Sequence, residues 1–174
     1  MTSVEFAAAF RAVYDRASAR YARGGAAAAN LLDAADAAFL ASQGITAQHV
    51  FDYVEDLANY GAPDFATAHA IELVRRDYFL NEQKGRPSTV VLDPASLPAK
   101  TATVQGITWL PRLIPKARAK LRGELPASMM FCCGGDRDFF QKHAITAAEF
   151  LALVRAHEND SQPIIDRLST AAQR

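Results

Sequence analysis

The chain is short of several things at once. It has two cysteines in 174 residues, and they are neighbours, Cys132 and Cys133. Adjacent cysteines close a strained ring when bridged to each other, so no disulfide frame is expected to hold the fold together. No run of 18 or more apolar residues occurs, which excludes a membrane-spanning helix. Charge of one sign is missing too: 19 Lys and Arg balance 19 Asp and Glu. No overall field then draws the chain to nucleic acid or anionic lipid, and neither is expected as a partner. The start, MTSVEFAAAFRAVYDRA, has Glu5, Arg11 and Asp15 where a secretory leader would be apolar. No leader is therefore expected, and free thiols without one imply a reducing cytoplasm. Cys-x-x-Cys, His-Glu-x-x-His, glycine-rich phosphate loops and Ser-His-Asp signatures are absent. The histidines are His49, His69, His143 and His157, and adjacent cysteines are badly spaced for chelation. No metal and no cofactor are expected.

Alanine and helical periodicity are abundant. Phe6, Phe10, Val13, Tyr14, Ala17 and Tyr21 recur at helix spacing, and Gly24-Gly25 stops them. An alanine-rich helix is expected over 26–42, a third after Thr46 and a fourth over 63–83. The segment 84–106 holds three prolines and reads as a linker. Helices resume after Trp109, with Leu110, Leu113, Ile114, Ala117 and Leu121 on one stripe. Regular helix is expected from Arg112, leaving Pro115 in the first turn. A short helix follows from Asp136, then one with a Thr146–Glu149 capping box, then one near Pro163.

The two halves resemble each other. Shifted by one hundred residues, 12–67 and 112–167 align without a gap. Ala17, Ala19, Ala27, Asp36, Phe39, Ile45, Thr46, Ala47, Val54, Asn59 and Pro63 recur in the second stretch. Arg16 and Arg20 meet Lys116 and Lys120. Four matches are alanines in an alanine-rich chain; the others fall at caps, turns and core positions. The reading is an all-α fold of two tandem diverged helical units. They would span 1–83 and 107–174 and pack about a pseudo-twofold axis, because each alone would have a small core. A fused homodimer is one form of that idea, and a homo-oligomer is compatible with it.

The second half also resembles a family. Leu110-Pro111-Arg112, then Lys116-Ala117-Arg118, then Cys133, Asp136, Phe139 and Ile145 are similar to the bacterial domain of unknown function 5069, over about residues 92–174. Pro115 stands where that family has Asp, Ala144 where it has Gly, and Thr146 where it has a capping Asp. The first half has Asp15 and Gly44 at the first two places but Asp33 in place of the cysteine. Neither half holds that acid and that cysteine together. The resemblance implies a helical fold and a cytoplasmic location, and no activity.

Two functional readings follow. In the first, the chain is a non-enzymatic interaction module for a small anionic ligand or a protein partner. Arg112, Lys116 and Lys120 share a helix face, Arg118 and Arg122 flank it, and Arg16 and Arg20 form a similar row. A solvated helix face explains such a row more simply. In the second, Cys133 is the nucleophile of an enzyme of unknown reaction, with Asp136 and His143 nearby and Gly134-Gly135 letting a ligand approach. Against it, Asp136 as a helix cap and buried cysteines explain the same residues. Tyr53, Tyr60, Tyr78 and Phe79 line an apolar pocket or a core. The first reading is preferred, because no catalytic constellation is visible.

Overall fold

A computed structural model describes residues 1–171, the side chain of residue 171 excepted. The chain folds as two compact units, Met1–Pro87 and Ser88–Arg174. The fold is all-α: the described residues form eight α-helices, one short 3-10 turn and a two-stranded hairpin.

In the first unit the helices are α1 (Ser3–Ala22), α2 (Ala34–Ser42), α3 (Ala47–Tyr60) and α4 (Phe65–Asn81). Each begins on a side chain that satisfies an orphan amide. Thr2 and Glu5 form a capping box on α1, and Asp33, Thr46 and Asp64 cap the other three. Phe6, Phe10, Val13, Tyr14 and Ala17 turn inward as their spacing requires. Leu40, Val50, Tyr53, Ile71 and Phe79 complete the core. Phe6 and Phe10 stack at 5.5 Å, and the His69 ring lies 5.8 Å from Phe6 and from Phe65. Tyr53, Tyr78 and Phe79 are core residues, whereas Tyr60 is exposed, so these four line no common pocket.

The alanine run does not extend α2 back to residue 26. Asn30 accepts from the Ala27 amide at 2.7 Å and donates to the Gly25 carbonyl at 3.2 Å. Such local bonds offer the backbone an alternative to helix, and Asp33 then supplies the start. Pro63 precedes α4 and lies outside it.

In the second unit the expected linker is mostly structure. Ser88 donates to the Glu124 carboxylate and the Leu92 amide to the Glu124 carbonyl, both at 2.8 Å. Pro94–Ser96 forms the 3-10 turn, and Leu97 and Ile107 are buried. Strands β1 (Thr103–Val104) and β2 (Ile107–Thr108) pair antiparallel around Gln105-Gly106, both at positive φ. Proline content signals an irregular path, but the path is pinned to its own unit.

The helices are α5 (Leu110–Arg122), α6 (Gly134–Lys142), α7 (Ala147–Ala156) and α8 (Gln162–Ala171). Helix α5 starts two residues before Arg112 and carries Pro115 inside it. The Pro111 carbonyl forfeits its helical donor there, since proline has no N–H. Phe131, Phe139, Phe140, Phe150, Leu151, Val154 and Ile164 form the core against Leu110, Leu113 and Leu121. The Thr146–Glu149 capping box is present, and Asp160 accepts from the Gln162 amide at the start of α8.

After α2 the chain turns through Gly44 at φ 76°, and after α6 through Ala144 at φ 47°. A β-carbon on Gly44 would lie 2.4 Å from Phe79 Cγ. Gly44→Ala should therefore lose more than about 2 kcal/mol in denaturant unfolding, through strain plus overlap. Ala144→Gly, which relieves a left-handed alanine, should be neutral or gain up to about 1 kcal/mol.

Candidate functional site

The α5–α6 junction gathers the chemistry of the second unit around Asp136. This carboxylate is 0% exposed and is the third residue of α6. It accepts from Lys116 Nζ at 2.7 Å, from the Cys132 amide at 2.9 Å and from Trp109 Nε1 at 3.0 Å. A buried carboxylate needs this many donors, because burying it unpaired is very unfavourable. Asp136 is therefore not the cap of α6, whose N-cap is Cys133; it joins three separate stretches of chain instead.

Two of its partners hold unusual backbones. Trp109, just before α5, has φ 75°, and Cys132 has φ 71°. Left-handed backbone disfavours residues with a β-carbon, so the surrounding bonds must hold both. The Trp109 ring lies on Gly135, where a β-carbon would come within 2.7 Å of it. Helical periodicity marks Trp109 only as the place where helices resume. No local pattern in the sequence points to Trp109 or Gly135 as partners, because they lie 26 residues apart.

The two cysteines differ. Cys132 is 2% exposed, and burial, aided by the Asp136 carboxylate, pushes its thiol up to about 12. Cys133 is half-buried and occupies the N-cap of α6 without making a side-chain cap bond. Lys116, 5% exposed, donates from Nζ to Cys133 Sγ at 3.3 Å. The structure brings Cys133 and Asp136 together with Lys116. It does not bring His143, which ends α6 as its C-cap. Nine helical residues separate the two, about 14 Å along the axis. The His143 ring packs on Phe139 at 4.4 Å, and burial, then Lys142, lowers its pKa.

The basic row is not a solvated face. Lys116 and Lys120 are buried at the edge of the α5 core stripe, at 5% and 2% exposure. Arg112 donates to the Pro98 carbonyl at 2.9 Å, and Arg118 to Ser161 Oγ at 3.0 Å. Arg122 pairs with Glu124 at 2.8 Å. In the first unit Arg16 Nε donates to Asp36 at 2.9 Å, one hundred residues before the Lys116–Asp136 pair, and Arg20 stands exposed. An open groove of about 1030 Å³ lies elsewhere on the second unit, lined by His143, Ile145, Glu149, Leu153, Asp166 and Arg167 among others.

Among the described residues no group of three or more His, Cys, Asp or Glu could hold a metal ion. No helix among them is long and apolar enough to cross a membrane.

Residues 96–174 match the family described as domain of unknown function DUF5069. The match covers the hairpin and α5–α8, and with them every member of the Asp136 cluster. No curated protein and no solved structure matches the chain.

Gly135→Ala should push the Trp109 ring off its seat, cost about 1–3 kcal/mol by overpacking and alter the emission of this sole tryptophan. Gly134→Ala, whose β-carbon would meet nothing nearer than Arg137 at 3.9 Å, should change neither fluorescence nor stability much. Equal effects from the two substitutions would contradict the stacked geometry.

Proposed function

We propose that the second unit works through Cys133, a nucleophilic thiol held beside a buried lysine ammonium. The observation that carries this reading is the 3.3 Å contact from Lys116 Nζ to Cys133 Sγ on a half-buried cysteine. Reactive thiols are partly exposed and sit beside a cation, whereas buried ones are inert. Cys132, next in sequence, supplies the inert case in the same turn. The cap position adds support. Asp33, at the corresponding place, caps α2 by accepting from the Asp36 amide at 2.8 Å. A cysteine there forgoes about 1 kcal/mol of capping. A side chain that weakens its own helix is the kind of local exception that functional sites tolerate. The reaction class is attack of the sulfur on an electrophile, with Lys116 as the fixed cation beside it.

The interaction-module reading has a different support, the groove bordered by His143, Glu149, Asp166 and Arg167. Its anion-binding form loses strength, because Asp36 and Asp136 already engage Arg16 and Lys116.

We also infer that the units are diverged copies of one ancestor. Helices α2 and α6 begin one hundred residues apart, as do α3 and α7 behind Thr46 and Thr146. The Arg16–Asp36 and Lys116–Asp136 pairs keep the same spacing and the same partner elements, a long helix and the third residue of a nine-residue one. In this view fastening is the shared property and the thiol is peculiar to the second copy.

Iodoacetamide labelling of the native protein at neutral pH tests the thiol reading. One cysteine, Cys133, should react several-fold faster than free cysteine, and Cys132 should react only after unfolding. Cys133→Ser should abolish the fast reaction without loss of stability, since serine caps helices well. A native thiol no faster than free cysteine would overturn the proposal.

A further inference from the structure

We propose that hydroperoxides convert the Cys133–Lys116 contact into a covalent sulfur–nitrogen bond, a reversible clasp between α5 and α6. The inference rests on the nucleophilic thiol described above and adds its oxidant class and the fate of the oxidised sulfur.

The first step is attack of Cys133 Sγ on one oxygen of the peroxide. The S–O bond forms, the O–O bond breaks, and the other oxygen leaves as water or an alcohol after taking a proton. Sulfur is oxidised by two electrons and the peroxide is reduced by two, leaving a sulfenic acid. Sulfenic acids condense with a nearby thiol or nitrogen. Lys116 Nζ is 3.3 Å from this sulfur and 2.7 Å from the Asp136 carboxylate. The carboxylate takes one ammonium proton, the neutral amine attacks sulfur, and the S–N bond forms as the S–O bond breaks. The hydroxyl group leaves with the second amine proton as water. One charge pair buried at 6% and 0% side-chain exposure thereby becomes a neutral amine derivative beside a protonated acid. Removing two buried charges together favours the product. One free thiol attacks sulfur and releases the amine, leaving a mixed disulfide on Cys133, and a second thiol attacks that disulfide and returns the Cys133 thiol.

The competing partner is Cys132. It is adjacent in sequence, so bridging would need the strained eight-membered ring, and burial holds its thiol protonated. The first unit cannot make the link at all, because Arg16 and Asp33 stand where Lys116 and Cys133 do.

The experiment is intact-mass analysis of the full chain after hydrogen peroxide, then after dithiothreitol, with peptide mapping. Wild type should lose two hydrogens, regain them with the reductant, and yield a peptide containing Cys133 joined to one containing Lys116. Cys132→Ala should behave the same way. Lys116→Arg keeps a cation for Asp136, as Arg16 does for Asp36, so it serves as a folded control. It should lose no hydrogens and should instead hold a sulfenic acid that dimedone traps. A two-hydrogen loss that persists in Lys116→Arg and vanishes in Cys132→Ala would mean a bond between the cysteines and would overturn the clasp. Oxygen addition alone in wild type would overturn it too. In either case fast iodoacetamide labelling would leave the thiol reading standing; slow labelling would remove both.

Discussion

The second unit is organised around one buried ion pair. Lys116 and Asp136 meet at 2.7 Å with almost no exposure, and the chain is arranged to make that burial tolerable. Taking one partner from such a pair typically costs about 3–5 kcal/mol, a large share of a domain stability of about 5–15 kcal/mol. The carboxylate recruits two more donors, and each constrains another piece of chain. Trp109 must approach from before α5, so Gly135 must be bare. The Cys132 amide must point inward, so its backbone turns left-handed. Cys133 follows at the helix start, and its sulfur meets the same ammonium. The geometry of the thiol is a consequence of how the charge is buried.

The first unit has an ion pair of its own, under fewer demands. Arg16 meets Asp36 from a largely exposed position, and an aspartate rather than a cysteine caps the short helix. No tryptophan crowds the turn, and alanines replace the two glycines. With the charges partly in water, the pair is screened and weaker. The deeper burial in the second unit is what brings a cation close to a thiol. Left-handed Trp109 and Cys132 mark where the local backbone is strained to achieve it.

Much of the architecture is legible in the sequence because short-range rules write it. The α1 stripe, Thr46, Thr146 with Glu149, and the start of α8 are set by neighbours two to four residues away. Sequence and structure part where the deciding partner is remote or unusual. Asn30 keeps the alanine run from joining α2, through bonds that compete with the helix it interrupts. The segment after Pro87 reads as free because its anchor, Glu124, lies over thirty residues on. Lys116 and Lys120 read as solvated because nothing in α5 reveals that Asp136 will cover one of them. Cys133, Asp136 and His143 group together in the sequence because they are close along it. A helix of nine residues keeps its two ends apart, and that distance removes His143 from the cluster.

A double-substitution cycle at Lys116 and Asp136 puts the buried pair to the test. Unfolding free energies would be measured for Lys116→Met, Asp136→Leu and the pair together. If the buried charge pair governs the junction, each single change leaves one charge stranded. The double change should then lose less than the two singles added together, by about 2 kcal/mol or more. Losses that simply add, within about 0.5 kcal/mol, would show that neither charge depends on the other, and the ion pair could not be what organises the second unit.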